Sequence, residues 1–152
     1  MKKIIVAVAL LCSSAPVFAA EAYTVLFKTQ GTFADVRNQV VSAIEGKGLK
    51  INHSNLIADM LERTGKDLGA TKQVYENGEQ FEFCSARISR NMMEADPHAI
   101  AMCPYIVSVY TIPNDKNVYI AYRKPAASKK PALKKALADV EKLLTEIIKD
   151  AM

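Results

Sequence analysis

The sequence is short of the features by which enzymes are usually recognised. Its 152 residues contain three cysteines and two histidines, with no GxSxG elbow, no HExxH pair and no glycine-rich phosphate loop. The common serine-hydrolase, zinc-peptidase and nucleotide-phosphate signatures are therefore excluded. No CxxC motif is present to lower a thiol pKa, and no CxxCH to attach a haem covalently. Internal repeats and low-complexity tracts are also missing. No apolar run reaches the ~20 residues a membrane-spanning helix needs; Ile4 to Leu11 is the nearest approach.

That short run has the shape of a secretory signal. Lys2 and Lys3 precede it, Ser13, Ser14 and Pro16 break it, and Val17-Phe18-Ala19 places small residues at the two positions a signal peptidase inspects. The reading predicts cleavage after Ala19, removal of Cys12 with residues 1–19, and a single α+β domain over 20–152. The mature protein is expected to be periplasmic or secreted and free of the membrane.

The formal charge of +4 falls once Lys2 and Lys3 leave. Most other lysines lie between Lys124 and Lys149, interleaved with Asp139, Glu141, Glu146 and Asp150. Such interleaving marks a solvated helix face and not a nucleic-acid surface, which needs converging basic residues and stacking aromatics.

Ala22 to Thr29 alternates as a strand with both faces partly covered. Thr32 caps a helix, with Asp35 able to answer in capping-box fashion. Phe33, Val36, Val40 and Ile44 form its buried stripe, and Gly46 and Gly48 end it. Leu49 to Ser54 suggests a second strand, and Asn55 a cap for a helix from Leu56 to Thr64. Residues 66–80 stay open: Asn77-Gly78 is a hairpin signal, but its flanks alternate weakly. Ser85 is placed to cap a helix from Ala86 to Ala95, stopped by Asp96-Pro97. Tyr105 to Ile112 and Asn117 to Arg123 then read as an antiparallel hairpin at the sheet centre. Pro131 starts a last helix, 131–149, whose Leu133, Leu137, Val140, Leu144 and Ile147 form one stripe. This order predicts an α+β fold, one antiparallel sheet with helices packed on one face.

The segment Cys84-Ser-Ala-Arg-Ile-Ser-Arg-Asn-Met-Met-Glu-Ala-Asp-Pro97, followed by Cys103-Pro-Tyr-Ile-Val-Ser-Val-Tyr110, resembles the central signature of the domain of unknown function 302 family. Thr32 to Gly48 resembles that family's first helix, and Ile51 to Thr64 a segment of its longer, exported members. The likeness covers residues 22–125. It departs at Cys103-Pro104, where many relatives carry the proline first. The resemblance implies an α+β fold with an antiparallel sheet and no settled activity.

Several residues are candidates for a site. Cys84 and Cys103 admit three readings: a disulfide closing a loop of about 20 residues, stabilising by ~3 kcal/mol; a redox-active or ligand-binding thiol pair; or two separate buried thiols. His53, Met92 and Tyr105 are candidate ligand contacts. His53, Met60 and His98 are weak metal candidates, and Met93 and Met102 add soft sulfur that suits copper or non-covalent haem. Methionines more often pack cores, and a lone histidine beside Ile51 and Leu56 is more often structural. Glu94 and Asp96 are a carboxylate pair at a helix end, where capping is the ordinary role. The expected function is a non-enzymatic module that binds a small ligand or a protein partner, a homodimer among the arrangements it allows. The alternative is a redox or haem/metal protein using the cysteine pair and His53.

Overall fold

The computed structural model describes residues 23–152; the expected signal peptide and its cleavage site lie outside the described residues. Five strands form one antiparallel sheet in the order β1-β5-β4-β3-β2: β1 is Thr24–Thr29, β2 Ile51–Leu56, β3 Asn77–Phe83, β4 Tyr105–Thr111 and β5 Val118–Arg123. The helices are α1 (Phe33–Gly46), α2 (Ile57–Gly65), α3 (Ala86–Ala95) and α4 (Pro131–Asp150), with a 3-10 helix at Pro97–Met102. The single-domain α+β architecture expected from the element order is the one observed.

Alternation along the strands sorts the sheet into two unlike faces. Phe81, Phe83, Val107, Val109, Val118 and Ile120 point to one face, where they meet Val36, Val40 and Ile44 of α1, Met92 of α3 and Leu137, Val140, Leu144 and Ile147 of α4. Each such side chain contributes about 1.5–3 kcal/mol when fully buried, so this layer dominates stability. The opposite face carries Leu26 and Lys28 of β1, Tyr119 and Ala121 of β5, Ser108 and Tyr110 of β4, and Gly78, Gln80 and Glu82 of β3. It is not covered by α1, α3 or α4. Leu26, expected to be partly covered, is 45% exposed.

Local chemistry explains most boundaries. The Thr32 hydroxyl accepts from the Asp35 amide at 3.1 Å, as a helix N-cap should. The Asp35 carboxylate, however, accepts from that hydroxyl at 2.7 Å, not from the Thr32 amide as a capping box requires. The second strand runs two residues further than expected, because Asn55 does not cap α2. Its amide donates across the ladder to Glu82 at 2.7 Å, which keeps it in β2. Asn77-Gly78 likewise opens β3 instead of turning a hairpin: Asn77 pairs with Thr111 across β4. At Gly78 an added Cβ would lie 3.4 Å from the Ala58 methyl, so the lack of a side chain there lets α2 lean over the edge of the less covered face.

Candidate functional site

The register of β3 against β4 brings together two of the residues singled out from sequence. Phe83 pairs with Tyr105, so Cys84, just after β3, and Cys103, just before β4, emerge at the same end of the ladder. Their thiols are free, and Cys103 is near enough to help push the Cys84 thiol up. Cys84 is exposed and Cys103 half-buried. The Cys103–Pro104 peptide bond is cis.

Two side chains complete the cluster from the core side. The buried Ser89 hydroxyl of α3 lies 3.2 Å from Cys103 Sγ and 3.0 Å from Tyr105 Oη. Tyr105 packs edge-on against Phe83, ring centroids 6.2 Å apart. Burial pushes the Tyr105 phenol up to about 12, so it stays protonated at any physiological pH. Although Cys84 is exposed, partial desolvation of its thiol pushes it up, and the neighbouring Cys103 and the Glu82 carboxylate add to that. Cys84 is held as a thiol, not as an activated thiolate.

The other candidates are dispersed. Met92 is fully buried in the core, where a flexible thioether fills space. His53 is exposed on β2 opposite Glu82. Met60 lies on α2, where its carbonyl and sulfur both meet the Thr64 hydroxyl. His98 is exposed in the 3-10 helix, its amide donating to Asp96. These three residues thus occupy three separate elements, and among the described residues no group of three His, Cys, Asp or Glu is arranged to hold a metal ion. Glu94 pairs with Arg90 at 2.8 Å. Asp96, its carboxyl lowered first by the Lys130 ammonium that donates to it and then by the His98 amide, caps the 3-10 helix. Both carboxylates have local structural partners.

A second cluster was not singled out from sequence. On the face away from α1 and α4, Tyr110 of β4 stacks on Tyr119 of β5 at 5.2 Å and 13°. It also meets Tyr75 edge-on at 5.4 Å and 69°. Lys28 Nζ sits 5.3 Å from the Tyr119 ring centroid, extending the row to β1. Beside these rings, Gly78, Ser108 and Ala121 on three adjacent strands are too small to fill the surface. The result is a hollow of about 220 Å³ that Tyr23, Thr24, Ile57, Tyr75, Gln80 and Tyr110 also line. Gln80 donates to the Ser108 hydroxyl at 3.2 Å. Glu79 borders it through backbone, since its carboxylate is taken by Arg37 and Ser54. Alternation alone could have signalled this row: Tyr110 and Tyr119 fall on the outward positions of the hairpin. A wider depression of about 820 Å³ flanks α1 beside Asp35, Asn38 and Asp150. It is open to solvent on most sides and walled by a solvated helix face.

Residues 25–151 match the family model described as domain of unknown function DUF302. The chain belongs to the DUF302 family. No curated protein matches it. A crystal structure of an uncharacterized conserved DUF302 protein from Bacillus stearothermophilus aligns with a TM-score of 0.69 at 14% identity, over 87% of this chain and 100% of that one. At that identity the likeness concerns the fold alone; it is the family match that carries the DUF302 resemblance beyond residues 22–125 into α4. No helix among the described residues is long and apolar enough to cross a membrane.

Proposed function

We propose that this DUF302 domain is exported and works as a small-ligand-binding module, with the tyrosine-lined hollow as its binding site and a neutral, single-ring compound as its ligand class. The observation that carries this reading is the hollow itself, in which small residues on three neighbouring strands leave space beside a row of aromatic rings. Its volume is below the roughly 300–1,000 Å³ of sites that take drug-sized molecules, which favours a ligand of one ring. The rings supply stacking surface, while the Gln80 amide, the Ser108 hydroxyl and the phenols supply uncharged hydrogen-bonding groups. Among the described residues, none projects an ionised side chain from the floor, so a charged ligand would lose hydration without gaining a partner there.

Titration calorimetry tests the reading with benzyl alcohol and benzamide against benzoate and benzylammonium, on the protein and on Ser108→Leu, whose side chain fills the floor. The neutral pair is expected to bind saturably to the wild type and not to Ser108→Leu, with the charged pair at least about tenfold weaker, a difference of ~1.4 kcal/mol. Equal binding of charged and neutral rings, or binding indifferent to Ser108→Leu, would refute it. So would a stable dimer, seen by sedimentation, whose interface covers Tyr75 and Tyr110.

A further inference from the structure

The sulfur cluster points to a chemistry separate from the hollow. Cys84 and Cys103 differ in access, one exposed and one half-buried, yet flank the paired residues Phe83 and Tyr105 at one end of the β3–β4 ladder. The strand pairing holds them together whether or not they are bonded, through the Phe83–Tyr105 register and the edge-on contact of those two rings. The inner sulfur is in addition placed by Ser89, whose hydroxyl bridges Cys103 and the Tyr105 phenol. An accessible thiol backed by a fixed, less accessible one is the arrangement that thiol–disulfide exchange requires, because the first thiol meets the incoming disulfide and the second resolves the mixed disulfide.

We propose that Cys84 and Cys103 form a reversible dithiol/disulfide couple that exchanges with small-molecule disulfides, Cys84 being the entry thiol and Cys103 the resolving thiol. With oxidised glutathione, the Cys84 thiolate attacks one sulfur, its S–S bond breaks, and one glutathione thiolate departs. Cys103 then attacks the Cys84 sulfur of the mixed disulfide, forms the Cys84–Cys103 bond and expels the second glutathione. The protein loses two electrons, the glutathione disulfide gains them, and the two thiol protons end on the two departing thiolates. Desolvation and the neighbouring Glu82 keep the Cys84 thiolate scarce near neutrality, so the first step quickens as pH rises, and reopening that must expel Cys84 meets a poor leaving group.

The experiment is intact-mass analysis of the full chain carrying Cys12→Ser, so that only the two site thiols remain, after exposure to oxidised glutathione. The parent is expected to lose two hydrogens and retain no glutathione. Adding Cys103→Ser should trap one glutathione on Cys84, while adding Cys84→Ser should leave Cys103 largely unmodified. A pulse of iodoacetamide on the reduced parent, which needs neither substitution at the site, should alkylate Cys84 several-fold faster than Cys103. A lasting glutathione adduct on the parent, or equal glutathionylation and alkylation of both cysteines, would overturn the assignment.

Discussion

Replacing Arg37 by methionine removes the charge that neutralises the buried Glu79 carboxylate while leaving an apolar stem over Phe81, above which the guanidinium sits at 5.2 Å. Arg37 donates from Nε and Nη2 to the two oxygens of Glu79, both at 3.0 Å, and Ser54 donates to the same carboxylate. The Glu79 side chain is 7% exposed and that of Arg37 34%. Breaking a fully buried pair costs about 3–5 kcal/mol and an exposed one about 0–1. This pair lies between, nearer the buried case on the Glu79 side, so a loss of about 2–3 kcal/mol is expected. For a domain of this size the unfolding entropy is about 0.27 kcal/mol/K, which turns that loss into a Tm lowered by roughly 10 °C at neutral pH.

The pH dependence separates this electrostatic cause from simple loss of packing. Burial pushes the Glu79 carboxyl up, but the hydrogen bonds from Arg37 and Ser54 and the guanidinium charge outweigh it and hold it below its usual value. Its contribution is therefore present above the unfolded pKa and is lost as pH falls through the folded one. Without Arg37 burial prevails and the carboxyl titrates high, so acidification neutralises it and relieves the penalty. Thermal unfolding followed by circular dichroism from pH 7 to pH 3 should show the two curves converging, and Arg37→Met with Glu79→Gln should recover most of the loss at pH 7. Equal Tm values at pH 7, or a gap that stays constant on acidification, would refute the reasoning.

Three further outcomes are expected. Met92→Ala should cost about 2–5 kcal/mol in denaturant unfolding, since the thioether is fully buried; a loss under ~1 kcal/mol would mean that α3 is loosely packed. Ultraviolet titration should show Tyr105, Tyr110, Tyr119 and Tyr122 ionising above the ordinary phenol range, held there by burial in Tyr105, Tyr110 and Tyr122 and by the hydrogen bond to Asp115 in Tyr119. Because these folded pKa values are raised, the associated stability is complete below about pH 10 and fades as pH climbs toward about 12, the value for Tyr105; early ionisation of all six tyrosines would contradict it. Tyr122→Phe should cost about 1 kcal/mol, by loss of the 2.7 Å hydrogen bond to the Thr145 hydroxyl, with a smaller effect on ligand binding than Ser108→Leu because Tyr122 faces the helices.

Much of the fold was legible because local chemistry and global packing agree. The strands expected over Tyr105 to Ile112 and Asn117 to Arg123, the Thr32 cap and the α4 stripe appear within a residue of where the spacing puts them, and Ser85 marks the start of α3 although its side chain makes no cap hydrogen bond. β3 was not legible. Its core-facing positions are Glu79, Phe81 and Phe83, and a glutamate at a core position reads as solvent-facing until its partner, Arg37, is seen on another element. The cluster around Cys103 depended on that same strand: without β3 no ladder register could bring Cys84 to Cys103, and Ser89 on α3 looked like any other helical serine. The 3-10 helix was missed because Asp96-Pro97 reads as a stop, although Asp96 caps the turn that follows. The hollow was missed for a different reason. Small residues at Gly78, Ser108 and Ala121 make a cavity only when three strands align, which no single segment records.

Amide chemical-shift mapping with benzyl alcohol tests the central claim most directly. Saturable shifts confined to Tyr75, Gly78, Gln80, Ser108, Tyr110 and Ala121, and lost in Ser108→Leu, are the predicted result; shifts along α1 and α4 with that face silent would contradict it.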